Sequence, residues 1–412
     1  MALNSPQIQG GTFTGRATFS SGMFSNIAED VSPLVSMISP AETPFLVEIG
    51  DAEKPAYNIF HEYLEEELSP NAVINSVAIA STTASTPIPI KGGLGIYLQV
   101  GMILRGPEVS GGEYMQIENV VGANTIVVSR AFAGTVANSF AIGEYLTVVA
   151  DAATEGADVL TDTSKSRNRL SNYLQIFKKD IIVGGSTQAV NTHDNMDEFD
   201  RQKRNRTREA LRDLEKACIL GKLSGNTIGT AGAVRTMKGL LSFIATNITS
   251  ITSTSYDGTF GSTQMQAFEA YVNDTIRSAW IQGGTDINVI MCGDAVKRRF
   301  DQLNNSRTQV ANGDGVFNNR ITFYECTYGS LRLMLNRWMP SHMMAVLATN
   351  RIAVPPLNGR SFGFVPVAKT GDADKAMIIG EYTMELRNEA GMAQMNFAAL
   401  APGAGGRLIP AP

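Results

Sequence analysis

Three histidines, three cysteines and one dense run of charge are the residues of this chain with chemistry to offer. His61, His193 and His342 are far apart, and only His193 has ligand-type neighbours, in the stretch HDNMDE. Imidazole and carboxylate can share a cation, so His193, Asp194 and Asp197 support a metal reading. A capped, solvated helix start explains the same residues. Cys218, Cys292 and Cys326 have no paired spacing and read as reduced thiols rather than a disulfide framework. A phosphate loop needs a glycine five residues before Gly221-Lys222, and Lys216 stands there. GGLGIYL lacks the third glycine of a dinucleotide fingerprint. GGSTQ fails as a nucleophile elbow because Gln188 takes the last glycine position. The expectation is therefore no catalytic residue, no cofactor and no metal.

The charge run is EFDRQKRNRTREALRDLEKACILGK, residues 198–222. It holds eight bases (Arg201, Lys203, Arg204, Arg206, Arg208, Arg212, Lys216, Lys222) and five acids (Glu198, Asp200, Glu209, Asp213, Glu215), a local net of +3. It reads either as a helix that grips nucleic acid or as a solvated helix face. Acids within helical reach of the bases compensate much of its charge. The chain as a whole carries −5, with no basic surplus to release counterions, and few aromatics flank the run for stacking.

That run needs a long helix to carry it. Asn195, three residues before Glu198, is a plausible N-cap, and Gly221 and Gly225 supply the stop. A helix over 196–222 is about 40 Å long. Leu211, Leu214, Ala217 and Cys218 form its apolar face, with Phe199 as an outlying contact. The front two turns have almost nothing to bury, so the helix crosses a domain or meets a neighbour.

Around it, 412 residues with 43% hydrophobic and 18% charged content describe a chain that folds. No signal peptide and no apolar run long enough to span a membrane occurs. Residues 1–25 are polar, with isolated Phe13 and Phe19, and read as an arm without a core. AETPFLVEIG breaks the pattern at Pro44 and offers Phe45 and Leu46 as an anchor. Residues 53–91 dissolve into NSVAIASTTASTPIPI, an extended excursion. Residues 94–150 carry short strands between glycine turns, with Tyr114, Gln116, Glu118 and Val120 opposing Met115, Ile117 and Val121, and a hairpin at GANT. NYLQIFKKDIIVGG reads as a long strand. The acidic Glu65, Glu66 and Glu67 and the basic Lys165, Arg167 and Arg169 either pair or remain two solvated runs. Further on, Met265, Phe268, Val272, Ile276 and Ala279 mark a helix, and MIIGEYTMELRNEAGMAQM reads as one long strand with one buried face.

AETPFLVEIG, NYLQIFKKDIIVGGSTQAV, DEFDRQKRNRTREALRDLEKACILGK with its Asp213-Leu214-Glu215 step, AVRTMKGLLSFI, TYGSLRLMLNRWMP, VAKTGD and GEYTMELRNEAGMAQ follow one another in an order that resembles the major capsid proteins of tailed bacteriophages, the Hong Kong 97-like family. The resemblance runs from about residue 40 to 400, and PPLNGRSFGFVP, 355–366, fits it less well and is left unplaced. It implies an α+β fold with an N-terminal arm (1–50), an extended loop (51–93 outgoing, 151–190 returning) and an inserted small β domain (94–150). A peripheral domain with a long spine helix (191–240), an axial domain with peripheral elements (241–375), a peripheral long strand (376–400) and a tail (401–412) complete it.

The implied function is a non-enzymatic subunit that assembles with itself into pentamers and hexamers of an icosahedral shell enclosing double-stranded DNA, contacted non-specifically. Scaffolding, portal and possible decoration proteins are the implied partners. The implied location is the virion capsid, built in the host bacterial cytoplasm. An encapsulin-like compartment shell is the alternative, and a nucleic-acid-binding protein the third reading. No long helical N-terminal extension precedes the arm, so scaffolding is expected from a separate protein or from a segment not in this chain. Glu65, Glu66, Glu67, Lys165, Arg167, Arg169, Arg201, Arg204, Arg206 and Arg208 are the expected subunit-interface residues.

Overall fold

The structure is a computed structural model and describes residues 42–50, 52–153, 155–156, 163–190, 197–224, 234–251, 262–305 and 322–397. The expected arm before residue 42, the tail 401–412, and His193, Asp194 and Asn195 lie outside the described residues. Contacts divide the chain into two units, residues 60–172 and the remainder.

In the unit 60–172, β1 (Phe60–Glu65) pairs with β8 (Asn168–Tyr173). Between them β2 (Ala72–Ile74), β7 (Tyr145–Asp151), β4 (Met102–Arg105), β5 (Tyr114–Gly122), β6 (Thr125–Ser129) and β3 (Thr86–Pro89) form one antiparallel sheet in that order. The sheet reaches beyond the 94–150 module read from the sequence. β2 and β3 come from the stretch read as an unpacked excursion, because Val73 and Ile88 are wholly buried in the sheet's core. Such short strands suit sheet edges. The pattern in β5 changes as well. Met115 and Ile117 are buried as expected, but register shifts after Ile117 and Val120 turn Val120 toward the core and leave Val121 63% exposed. A bulge inserts one residue and flips the alternation.

The other unit opens with α1 (Pro44–Ile49), a single turn started by proline, whose fixed φ suits a first helical position. β9 (Gln175–Gly184) runs antiparallel to β17 (Ala373–Tyr382) over ten residue pairs, and β16 (Gly363–Val367) lies on the far side of β17. Residues 355–366, unplaced by pattern alone, thus lead into this third strand. Between β9 and β17 in the chain come α2 (Gly185–Ala189), α3 (Glu198–Leu220) and α4 (Leu240–Phe243). The Asp197 carboxylate accepts from the Phe199 N–H and caps α3, while Gly221 ends it.

α3 lies on the three-stranded sheet, where Ala210 packs with Ile181, Val183, Ala376 and Ile378, and Phe199 and Phe362 border them. Phe199 meets Phe364 edge-on at 6.1 Å, and the Lys203 ammonium stands 4.3 Å over the same ring. The front turns are therefore not bare, and the expectation that they bury almost nothing is corrected. The partners of Phe199 come from β16, about 165 residues downstream, which helix periodicity cannot reveal. Leu214, Cys218 and Ile219 seat the back half in the main core. Leu211, expected on that face, is 38% exposed. It lies only about 20° from Cys218 around the helix but two turns earlier, where the sheet takes the Ala210 side and the main core does not reach.

The main core surrounds a mixed sheet in the order β10 (Ile248–Ile251), β19 (Ala393–Phe397), β14 (Met343–Leu347), β11 (Val289–Cys292), β13 (Gly329–Leu335), β12 (Phe323–Cys326). α5 (Ser262–Ile281) presents Phe268, Val272, Ile276 and Ala279, all fully buried, and α6 (Asp294–Asn305) presents Val296 and Phe300. The Phe268 ring lies 5.2 Å from those of both Phe300 and Phe397. The stretch read as one long final strand is three strands in three sheets. β17 ends at Tyr382, β18 (Glu385–Leu386) pairs with β15 (Ile352–Ala353), and β19 follows a turn at Asn388 with φ 49°. Met384 and Leu386 are buried, but so are Thr383 and Glu385, so the alternation does not mark one solvated face.

Candidate assembly surfaces

The buried acid of α3 holds the start of α1. Glu215 lies on the helix's core side, with no exposed surface and no cation hydrogen-bonded to it among the described residues. Its Oε1 accepts from the Phe45 N–H at 2.9 Å and from the Asn336 Nδ2 at 2.7 Å, and its Oε2 accepts from the Leu46 N–H at 2.9 Å. Those two amides open α1, where the first turn has unpaired donors and a partial positive charge. Burial pushes the Glu215 carboxyl above its ordinary range, and the three donors oppose that rise. Asn336 Oδ1 accepts from the Trp338 N–H, and the Trp338 indole donates to the Glu42 carbonyl at 2.9 Å. Arg332 forms an ion pair with Glu48, and Arg337 lies 3.6 Å from Glu42. The Thr-Pro-Phe stretch is thus clasped from both sides, where the chain leaves the segment read as an arm. The Asp213-Leu214-Glu215 step was visible in the sequence, but its role was not. A lone acid amid Leu214, Cys218 and Ile219 is the signal that points to it.

The structure also distributes the charges of α3. Arg201 bonds to Glu198, with Nε at 2.8 Å, and Arg206 to Glu209 at 2.7 Å. Lys179 of β9 takes Asp213 at 2.6 Å, and Glu215 holds α1. Of the four arginines expected at subunit contacts, Arg201 and Arg206 are paired within the helix, while Arg204 and Arg208 are exposed. Asp200, Lys203, Arg204, Thr207 and Arg208 line a shallow depression on the helix.

In the unit 60–172, the two charge runs meet. Lys165 pairs with Glu67 at 2.9 Å, Arg167 approaches Glu66 at 3.9 Å, and Arg169 approaches Glu62, not Glu65, at 3.7 Å. The β1–β8 pairing brings them together. Their carboxylates are mostly exposed, so each pair is worth about 0–1 kcal/mol. A second pair, missed in the sequence, is fully buried. Arg130 donates to both oxygens of Glu113 at 2.8 and 2.6 Å, and also to the carbonyls of Ala80 and Asn138. The Glu113 carboxylate further accepts from the N–H groups of Ala131 and Asn138. Burial acts to raise the Glu113 pKa, but Arg130 and the two amides outweigh it and hold the group below the ordinary range. The satisfied pair fixes the loop 131–138, where Ala131 and Ala133 take positive φ.

No cluster of metal-ligating side chains occurs among the described residues. The Cys218 and Cys292 thiols are pushed up by burial, that of Cys292 to about 12, which makes both unreactive. No described helix is long and apolar enough to cross a membrane.

No curated protein matches the chain. Solved structures similar to it include the capsid of an empty GTA particle (8% identity, 92% of this chain and 98% of that one, TM-score 0.49). The capsid of the myovirus phage XM1 has 11% identity, 90% and 96% coverage and a TM-score of 0.47. A Mycobacterium phage Bobi chain has 10% identity, 92% and 98% coverage and a TM-score of 0.46. The family described as SU10 major capsid protein matches residues 9–398, nearly the whole length. The chain belongs to that family and is a major capsid protein, a structural subunit of the virion shell.

Proposed function

We propose that this subunit builds the icosahedral head of a tailed phage from pentamers and hexamers of itself, around packaged double-stranded DNA. The family match over 9–398 carries the reading. The two-unit organisation supports it. In this reading the β unit 60–172 is the extended loop with its insertion, and α3 with the sheet β16–β17–β9 is the peripheral domain. The sheet from β10 to β12 with α5 and α6 is the axial domain. Glu65, Glu66, Glu67, Lys165, Arg167 and Arg169 form the loop's charged base and contact a neighbouring subunit. An exposed ladder adds little to the fold of one chain, but repeated around a closed shell many weak contacts sum. Scaffolding and portal proteins set size and entry, and decoration proteins are further partners. Sedimentation of the full chain, expressed alone and with its phage's scaffolding protein, tests the proposal. Fast-sedimenting closed particles are expected in at least one condition, and slow subunits alone in both would refute it.

A further inference from the structure

The two outer strands of the sheet in the unit 60–172 meet. Just past their ends, the Ser76 N–H donates to the Pro89 carbonyl and the Lys91 N–H to the Ile74 carbonyl, both at 2.8 Å, and Asn75 bridges Ile90. The six strands thus close into a small barrel around Val73, Ile88, Leu104, Met115 and Leu146. Every neighbouring pair is antiparallel, so the connections β2–β3, β4–β5 and β6–β7 gather at one end. The chain enters β2 and leaves β7 at the opposite end. The three gathered loops are tied to one another. Arg130 at the start of the third donates to the Ala80 carbonyl in the first, and it holds Glu113 at the close of the second. Asn75 Nδ2 donates to the carbonyls of Val77 and Ala141 at 3.0 and 2.7 Å, and the Ser110 hydroxyl donates to Glu144 at 3.2 Å. Ala131 and Ala133 are held at φ 57° and 55°, a conformation costly for a residue with a Cβ. The side chains this rigid end exposes are largely apolar. Val109 is 99% exposed, Val136 74% and Ile142 64%, with Val77 and Tyr145 exposed beside them. Its charges are matched internally, Arg105 with Glu108 and Arg130 with Glu113, which leaves Glu144 on the Ser110 hydroxyl. Strain and exposed apolar surface held together on one rigid end mark a contact site.

We propose that this loop end docks on the same end of a second copy of the chain, joining the barrels of two subunits within the shell; the proposal rests on the shell reading above. Five such side chains expose about 500 Å² between them, the size of a functional patch on a soluble subunit. Two copies face to face would bury about 1,000 Å² in total, short of the roughly 1,200 Å² at which stable specific complexes begin. A separate protein arriving from solution gains too little from this patch alone. A copy already placed by the rest of the lattice has a high effective concentration and needs no more. The contact is isologous, so Val109 and Val136 of one subunit meet those of the other, and a patch with almost no net charge does not repel its copy.

The test uses the full chain assembled into particles, with Cys326→Ser in the background to remove the part-exposed native thiol. A short bis-maleimide is expected to join Val109→Cys subunits, and separately Val136→Cys subunits, into dimers. Asn124→Cys lies in the β5–β6 turn at the other end of the barrel and is expected to stay monomeric. Val109→Asp with Val136→Asp is expected to leave the melting temperature of the free subunit unchanged, because both side chains are exposed, and to lower the yield or the dissociation temperature of the particles. Monomers alone from both loop-end cysteines, or dimers from Asn124→Cys in their place, overturn the proposal. So does crosslinking of the loop end to a protein other than this chain, or particle stability unaltered in the double aspartate variant. Failure of the unsubstituted chain to form closed particles under any condition is a separate result, which sinks the shell reading and this contact with it.

Discussion

Replacing Glu215 probes the clasp that ties the Thr-Pro-Phe turn to α3. Glu215→Gln keeps the shape but exchanges one oxygen for an NH2 donor. Whichever oxygen is lost, a buried donor then faces another donor: the Phe45 N–H and Asn336 Nδ2 on one side, or the Leu46 N–H on the other. One broken bond with buried unsatisfied donors costs about 1–3 kcal/mol. Glu215→Ala leaves all three donors without an acceptor and is expected to cost about 3–5 kcal/mol. Amide hydrogen exchange on the free subunit reads the effect locally. The Phe45 and Leu46 amides should exchange about 5- to 150-fold faster in Glu215→Gln, the ratio that 1–3 kcal/mol implies, while amides of β5 in the unit 60–172 stay unchanged.

The pH dependence has a definite sign. Burial raises the folded pKa of Glu215 above the ordinary value of 4.5, so the folded state holds the proton more tightly than the unfolded one. That contribution to stability is fully present below the unfolded pKa and is lost as pH rises through the folded pKa. The stability of wild type relative to Glu215→Gln should therefore grow as pH falls through that window toward 4.5. Unaltered protection of both amides in Glu215→Ala would refute the clasp. A wild-type advantage that shrinks on acidification would refute the assigned burial.

Other outcomes follow from the same geometry. Leu214→Ala should cost about 2–5 kcal/mol by urea unfolding, while Leu211→Ser should stay within about 0.5 kcal/mol, since Leu211 is outside the core. Arg130→Met leaves Glu113 buried without its partner and should selectively unfold the unit 60–172, costing about 3–5 kcal/mol, detected by proteolysis within that unit while α5 stays protected. Because the Glu113 pKa is lowered, the stability its pair confers is present above the ordinary value of 4.5 and is lost as pH falls through the lower folded pKa. Glu66→Lys with Glu67→Lys should leave the melting temperature of the free subunit nearly unchanged and reduce particle yield; the reverse pattern would confine those residues to a role within one chain.

Periodicity carried furthest where one face meets one core. The α5 positions Phe268, Val272, Ile276 and Ala279 are all buried as their spacing implies. It failed where a helix touches two surfaces, because α3 lies on a sheet in front and on α1 behind. Local compensation within α3 holds for Glu198 with Arg201 and Glu209 with Arg206, while Asp213 and Glu215 turn to Lys179 and the α1 amides, which are remote in sequence. Val73 and Ile88 were masked by the Ser/Thr-rich windows around them, and their burial depends on strands from elsewhere in the chain. The final stretch kept a strand-like alternation across Thr383 although the chain leaves one sheet for another there. The charge pairs of the unit 60–172 were legible as two opposite runs, but Arg169 reaching Glu62 rather than Glu65 depends on the register of β1 and β8.

The most direct test of the account is an electron cryomicroscopy reconstruction of the particle formed by this chain, expressed alone or with a candidate scaffolding protein. The account predicts a closed icosahedral shell, with the sheet from β10 to β12 gathered around the capsomer axes and α3 with its three-stranded sheet at the periphery. Open aggregates, dispersed monomers, or capsomers with those two sheets exchanged would contradict it.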